Sequence, residues 1–239
     1  MSFFNRLIAE TREPRDALTA IPIIQGCLAG QVSVPSYVAF LTQAYHHVRH
    51  TVPLLQACRT ALPTRLEWMR ADVDEYIAEE TGHDAWILDD LVACGESRAA
   101  VVASRPDFAT EVMVAYAYDT IVRVNPLGFF GMVHVLEGTS VALALAAADR
   151  IESGLGLPGQ AFSYLRSHGT LDQEHTAHFA LLMDRLDDPD DQAAVIHAAR
   201  MFYRLYGNVF RALPMPMPMP MPSTLPTPMS TALPVRAAA

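Results

Sequence analysis

The sequence predicts an all-α protein. Apolar residues recur at helical spacing along almost the whole chain, and no Asn-Gly or Asp-Gly hairpin signal or alternating strand pattern competes with them. Of the 239 residues, 51% are hydrophobic and 18% charged, enough apolar material for one sizeable core.

Taken in order, a first helical region is expected from Pro14 to Leu28, ending at Ala29-Gly30. Ser33 can cap a second, running from Val34 to Leu62 with a kink at Pro53. Thr64-Arg65-Leu66-Glu67 reads as a capping box opening a long helix that ends at Cys94-Gly95. Asp107 starts the next, which reaches Val124 and is interrupted by Asn125-Pro126. A helix from Leu127 to Ser153 ends in Gly154-Leu155-Gly156. Another covers Gln160 to Leu186 with a bend at Gly169, and Asp188-Pro189 opens the last, reaching Leu213. The result is a bundle of about seven to eight helices.

Pro214 to Pro222 alternates Pro and Met, and Ser, Thr, Pro and Ala follow. Proline removes amide donors and disfavours helix in the residue before it, so 214–239 is expected to be a disordered tail. The folded unit is then a single domain over 1–213.

A net charge of −9 argues against a nucleic-acid partner, which needs a concentrated basic surface. Cys27, Cys58 and Cys94 are odd in number and form no CxxC pair, which excludes a disulfide framework and a thiolate zinc site. The N-terminus carries no apolar segment of the secretory kind. Pro126 to Ala148 is apolar, but His134 and Glu137 interrupt it, and a buried core helix is expected rather than a membrane span. These readings describe a cytoplasmic protein without a membrane partner.

Four segments carry ligand chemistry. In Ser167-His168-Gly169-Thr170-Leu171-Asp172-Gln173-Glu174-His175, helical geometry puts Asp172 about 40° to one side of His168 and His175 about 20° to the other. Two imidazoles and a carboxylate on one stripe suit iron, manganese or zinc. Glu80 and His83 form a Glu-x-x-His pair, the spacing by which bundles present ligands to di-iron centres, with Glu79 as a competing partner. Glu137, in Gly131-Met132-Val133-His134-Val135-Leu136-Glu137-Gly138, is a carboxylate in an apolar helix that needs a metal or an arginine partner. Tyr45-His46-His47-Val48-Arg49-His50 groups three histidines within about a third of the helix circumference. One of these could be a ligand and another could orient one. Each segment has an ordinary reading as a solvated face or a core histidine; the four together carry the weight.

The succession Ala44-Tyr45-His46-His47-Val48-Arg49, Glu80-x-x-His83, Val135-Leu136-Glu137-Gly138-Thr139-Ser140 and His168-x3-Asp172-x2-His175 resembles the haem-oxygenase-like di-iron oxidases, or iron-containing redox enzymes, over residues 14 to 213. They are related to thiaminase II and the pyrroloquinoline quinone synthesis oxidase. The resemblance implies a haem-oxygenase-like helical fold with Glu80, His83, Glu137, His168, Asp172 and His175 as iron ligands. It also implies two Fe(II) per chain and dioxygen as co-substrate for oxidising a small molecule, be it an amine, an amino acid or a fatty acid. Where many family members place a carboxylate on the early helix, this chain has His46 and His47, and His47 is taken as the seventh candidate ligand.

The relatives fit less well. Thiaminase II needs a cysteine on the helix holding Glu137, and none follows Cys94; a haem oxygenase uses a histidine in its first helix, and the first here is His46. A metal-free oxidase and a non-catalytic helical ligand-binding protein are the alternatives, and a homodimer stays open.

Overall fold

The computed structural model describes residues 1–215, apart from the side chains of residues 170–174. The stretch from residue 216 onward and the side chain of Asp172 thus lie outside the described residues. Within them the chain forms twelve α-helices and no strand. The count exceeds the sequence expectation because the long rods break, and each break has a local cause.

The first region is three helices. Ser2 caps α1 (Phe3–Glu10), which buries Phe3 and Leu7 and precedes the expected start; α2 (Arg12–Thr19) and α3 (Pro22–Leu28) follow. Ile21 is extended, as a residue before proline tends to be, and that separates α2 from α3. Ser33 caps α4 (Val34–Val48) as expected, and α5 is Thr51–Ala61. The second rod parts at Arg49-His50, where the Pro53 ring would strike the carbonyl four residues back.

Thr64 makes no capping bond: Thr64–Met69 is a tight 3₁₀ segment entered from Pro63. It leads into α6 (Arg70–Glu80), and Thr81-Gly82 separates this from α7 (His83–Ala93). Gly82 has φ +97°, a left-handed conformation costly for a residue with a Cβ, so the expected continuous helix is two. After α8 (Arg98–Ala103), Asp107 caps α9 (Phe108–Asp119), which runs on through a wide π-type turn to Val124.

The long apolar α10 (Phe129–Leu155) ends at Gly156, α11 is Ser163–Asp184, and Asp188 caps α12 (Pro189–Ala212). By length and composition Pro126–Leu155 could cross a membrane, but here α10 packs against α11 and α12. Two glycines permit this approach. A Cβ on Gly131 would lie 2.5 Å from the Ala199 backbone nitrogen, and one on Gly169 would lie 2.7 Å from Leu145 Cγ. Gly169 therefore marks close packing, and α11 passes through it uninterrupted.

The core is divided. One cluster gathers Leu7, Leu54, Met69, Phe130, Phe179 and Phe202; the other gathers Tyr37, Leu41, Ile87, Ala148 and Phe162. A cavity of about 170 Å³ touches members of both, including Ile24 and Phe129 from the first and Tyr37 and Ile151 from the second.

Candidate metal centre

The break at Thr81-Gly82 shapes the centre. Glu80 is the last residue of α6 and His83 the first of α7, so the pair flanks a turn rather than sharing one helical face. His83 Nδ1 lies 3.1 Å from Glu80 Oε2. From α11, His168 brings its ring to 4.8 Å from that of His83, edge to face. One potential ligand atom from each of Glu80, His83 and His168 lies within 4.8 Å of the others.

Their surroundings fix ring orientation. Trp86 stacks on His83 with centroids 4.2 Å apart. His168 Nδ1 lies 3.1 Å from the Tyr164 carbonyl oxygen, one turn back on α11, which can only accept. That contact places the proton on Nδ1 and leaves the lone pair on Nε2, the tautomer a metal ligand needs. Burial pushes the Glu80 carboxyl up, but the His83 hydrogen bond and the charges of His83, His168 and His175 outweigh it, and the net direction is down.

Asp90, buried on α7, determines where α11 begins. Its carboxylate accepts from the Ser163 and Tyr164 amides at 3.0 and 2.9 Å and from the Ser163 hydroxyl at 2.5 Å. It thereby satisfies amides that a helix start leaves without partners. Sequence reasoning missed Asp90, Trp86 and Tyr164. A usable signal existed for Asp90, which lies seven residues after His83 and hence about 20° from it around the helix.

The other candidates have partners or places of their own. His175 Nε2 lies 3.2 Å from Glu79 Oε2, so the two neighbouring glutamates separate, Glu80 to His83 and the more exposed Glu79 to His175. Glu137 lines the apolar cavity together with Glu80 and His168. The Asp172 side chain is outside the described residues.

Of the histidines on α4, His46 Nε2 is 2.9 Å from Ser104 Oγ, and His50, just beyond the helix, has Nδ1 3.2 Å from Tyr118 Oη. His47 is buried, lies outside the trio and lines the cavity. Burial, with smaller contributions from His168, His50 and His46, pushes its imidazole down to about 3. His134 is a core histidine bonded to Thr11, its Nε2 3.2 Å from Oγ1, and His178 sits 3.4 Å from Asp72. Tyr76 lines the cavity, whereas Tyr116 packs edge-on against Phe202.

The donor set fits ferrous iron. It offers one anionic oxygen and two imidazoles, with His83 buried and Glu80 and His168 half-buried. Three protein donors also leave coordination positions open for exchangeable ligands.

Comparison with known proteins supplies a family and a set of folds. The sequence profile of a family described as iron-containing redox enzyme matches residues 38–207. Comparison with curated proteins gives no match. Among solved structures, a domain of unknown function with a haem-oxygenase-like fold from Shewanella denitrificans superposes with a TM-score of 0.77 at 21% identity, covering 87% of this chain and 90% of that one. A TenA homologue from Pseudomonas syringae gives 0.73 at 12% identity, over 87% and 90% of the two chains. A haem oxygenase from Leptospira interrogans gives 0.68 at 15%, over 89% and 100%. At such identities the likeness speaks to the fold, which is haem-oxygenase-like.

Proposed function

Because the chain belongs to the iron-containing redox enzyme family, we propose that it is a non-haem iron oxidase that uses dioxygen to oxidise a small organic substrate held in the apolar cavity. The observation that carries the reading is the convergence of Glu80, His83 and His168, of which Glu80 and His168 line that cavity. In this reading the trio holds one Fe(II), and Glu137, Asp172 and His175 hold a second.

Iron, when bound, supplies the one-electron chemistry with dioxygen that no side chain performs. The chain's own residues supply position and environment. Tyr164 O keeps the His168 proton on Nδ1, and Trp86 restrains the His83 ring plane. Asp90 sets the start of the helix that delivers His168. Apolar side chains such as Phe129, Met132 and Leu136 exclude bulk water from the substrate side. Cys27, Cys58 and Cys94 are unpaired, in keeping with the proposed reducing cytoplasmic setting.

The test is metal analysis of protein loaded with Fe(II) under anaerobic conditions, followed by mixing with dioxygen. About two iron per chain and a new optical absorption on mixing are expected, both lost in Glu80→Gln and His168→Ala. Protein that takes up no iron would instead fit a metal-free oxidase or a ligand-binding protein.

A further inference from the structure

Two spaces meet the proposed metal centre. One is the apolar cavity, which Glu80 and His168 line. The other is a pocket of about 470 Å³ bounded by Glu75, Glu79, His83, Trp86, His175 and His178. His83 joins this pocket to the trio: it belongs to the trio, and its side chain, 4% exposed, forms part of the pocket wall. Its hydrogen bond to the Glu80 carboxylate uses Nδ1, which leaves the lone pair on Nε2 for a metal. Tyr76, 3% exposed, lines both spaces and forms a wall common to them.

The two spaces differ in chemistry. Most of the cavity presents side chains such as Ile24, Leu55, Met132 and Leu143, which offer a hydrated dication nothing in exchange for its water. The pocket offers carboxylate and imidazole, donor types that ferrous iron takes. No arginine lines it, so with neutral imidazoles its charge comes from Glu75 and Glu79 alone. Glu79 is engaged with His175 at 3.2 Å. The Glu75 carboxylate is exposed and has no ion-pair or hydrogen-bond partner among the described residues. Arg185, packed 3.8 Å over the Trp68 ring, pairs instead with Asp72, one turn before Glu75. No contact within the fold accounts for Glu75, and its exposure puts it on the solvent side of the pocket.

We propose that this pocket is the loading port of the metal centre. Glu75 attracts a hydrated divalent cation, Glu79 and His175 replace part of its water, and His83 receives it for the trio, while Tyr76 keeps the port apart from the apolar cavity. The proposal rests on the metal centre and adds to it a path and a residue, Glu75, that is no ligand of the final site. Charge of one sign lining a cleft raises the entry rate of the opposite ion by about 10- to 1,000-fold, and one carboxylate supplies a share of that. A port residue acts on the path and not on the end state. It therefore speeds entry and release equally and leaves the affinity alone.

Full-length apo-protein is mixed anaerobically with Co(II), whose bound form absorbs visible light, and uptake is followed by release into excess chelator. Uptake by the parent should slow as salt is raised. Glu75→Gln should slow uptake and release alike by about fivefold, and Glu75→Arg by about 25-fold, because the charge changes by two rather than one. Metal content at saturation should stay at the parent level. Glu111→Gln, which alters an exposed carboxylate on α9 outside the pocket, should match the parent in both rates and controls for net charge.

Parent rates in the Glu75 variants, or uptake indifferent to salt, overturn the port and leave the metal centre standing. Slower uptake with faster release does the same, since it would make Glu75 a stabiliser of the bound ion, and so does equal slowing in Glu111→Gln. A parent protein that takes up no metal overturns the centre and the port together.

Discussion

Asp90 on α7 accepts a hydrogen bond from the Tyr164 amide at 2.9 Å, tying the helix that begins with His83 to the helix that carries His168. Asp90→Ala removes the acceptor for two backbone amides and a hydroxyl. A loss of about 2–3 kcal/mol is expected, from the lost cap and the unsatisfied buried donors. Iron affinity should fall too, although no ligand is altered. Denaturant titration of the apo-protein and Fe(II) binding by the variant check the two effects separately; unchanged iron affinity would show that His168 is positioned without this tie.

The two neighbouring glutamates should behave differently. Glu80→Gln is expected to abolish iron binding, whereas Glu79→Gln, which alters a half-exposed contact to His175, should reduce it by no more than about tenfold. His175→Ala and Asp172→Asn should each lose iron with helix content retained, and His178→Ala, one turn beyond, should load normally. Circular dichroism and metal analysis on the same samples decide; iron content at the parent level in the His175 and Asp172 variants would remove both from the ligand set.

Acid should weaken the fold in part through Asp191. This carboxylate, 1% exposed, is gripped by the Arg65 guanidinium and by Asn125 Nδ2 at 3.0 Å. The Arg65 hydrogen bond leads in holding it below the usual carboxylate range, against the upward push of burial. Its folded pKa is thus below its unfolded one. The stabilisation is complete above the ordinary aspartate value and is lost as pH falls through the folded one. Asp191→Asn should cost on the order of 2 kcal/mol at pH 7, discounted because Arg65 is half-exposed, and much less at pH 3. Equal losses at both pH values would assign the effect to packing.

Cys58 should be inert. It is buried, its Sγ donates to the Pro126 carbonyl at 3.3 Å, and burial pushes its thiol up to about 12. Iodoacetamide at pH 8 should leave it unmodified in the native state and alkylate it after unfolding. Replacing all three cysteines by Ala or Ser should preserve turnover apart from packing losses of about 1–2 kcal/mol. An essential cysteine would favour a thiol nucleophile over iron chemistry.

Ending the chain after Met215 should leave the melting midpoint nearly unchanged. Ending it after Ala212 should lower the midpoint by several degrees. The second truncation removes buried Leu213 and the Pro214 carbonyl that accepts from Ser36 Oγ at 2.7 Å. A large loss with the first truncation would show that the Pro/Met segment packs on the domain.

The helical class was legible because apolar periodicity survives tertiary context, and the caps at Ser33, Asp107 and Asp188 all function as expected. The breaks were less legible. Pro53 signalled a kink, but the separation falls at Arg49-His50, where its ring would collide with the preceding turn. At Thr81-Gly82 the spacing of Glu80 and His83 suggested one helical face, whereas the two side chains meet across a turn. Which glutamate faces which histidine depends on the rotation of α6 against α11, which no local pattern encodes.

The void between the two halves of the core has a mechanical consequence. Unfolding collapses empty space into bulk water, so the unfolded chain occupies less volume, and hydrostatic pressure favours it in proportion to the void removed. A hydrocarbon tail filling that space would subtract from the volume change and leave the protein stiffer under compression. Squeezing the molecule with and without an apolar guest therefore weighs the emptiness directly, by how far occupancy raises the pressure at which half the chains unfold.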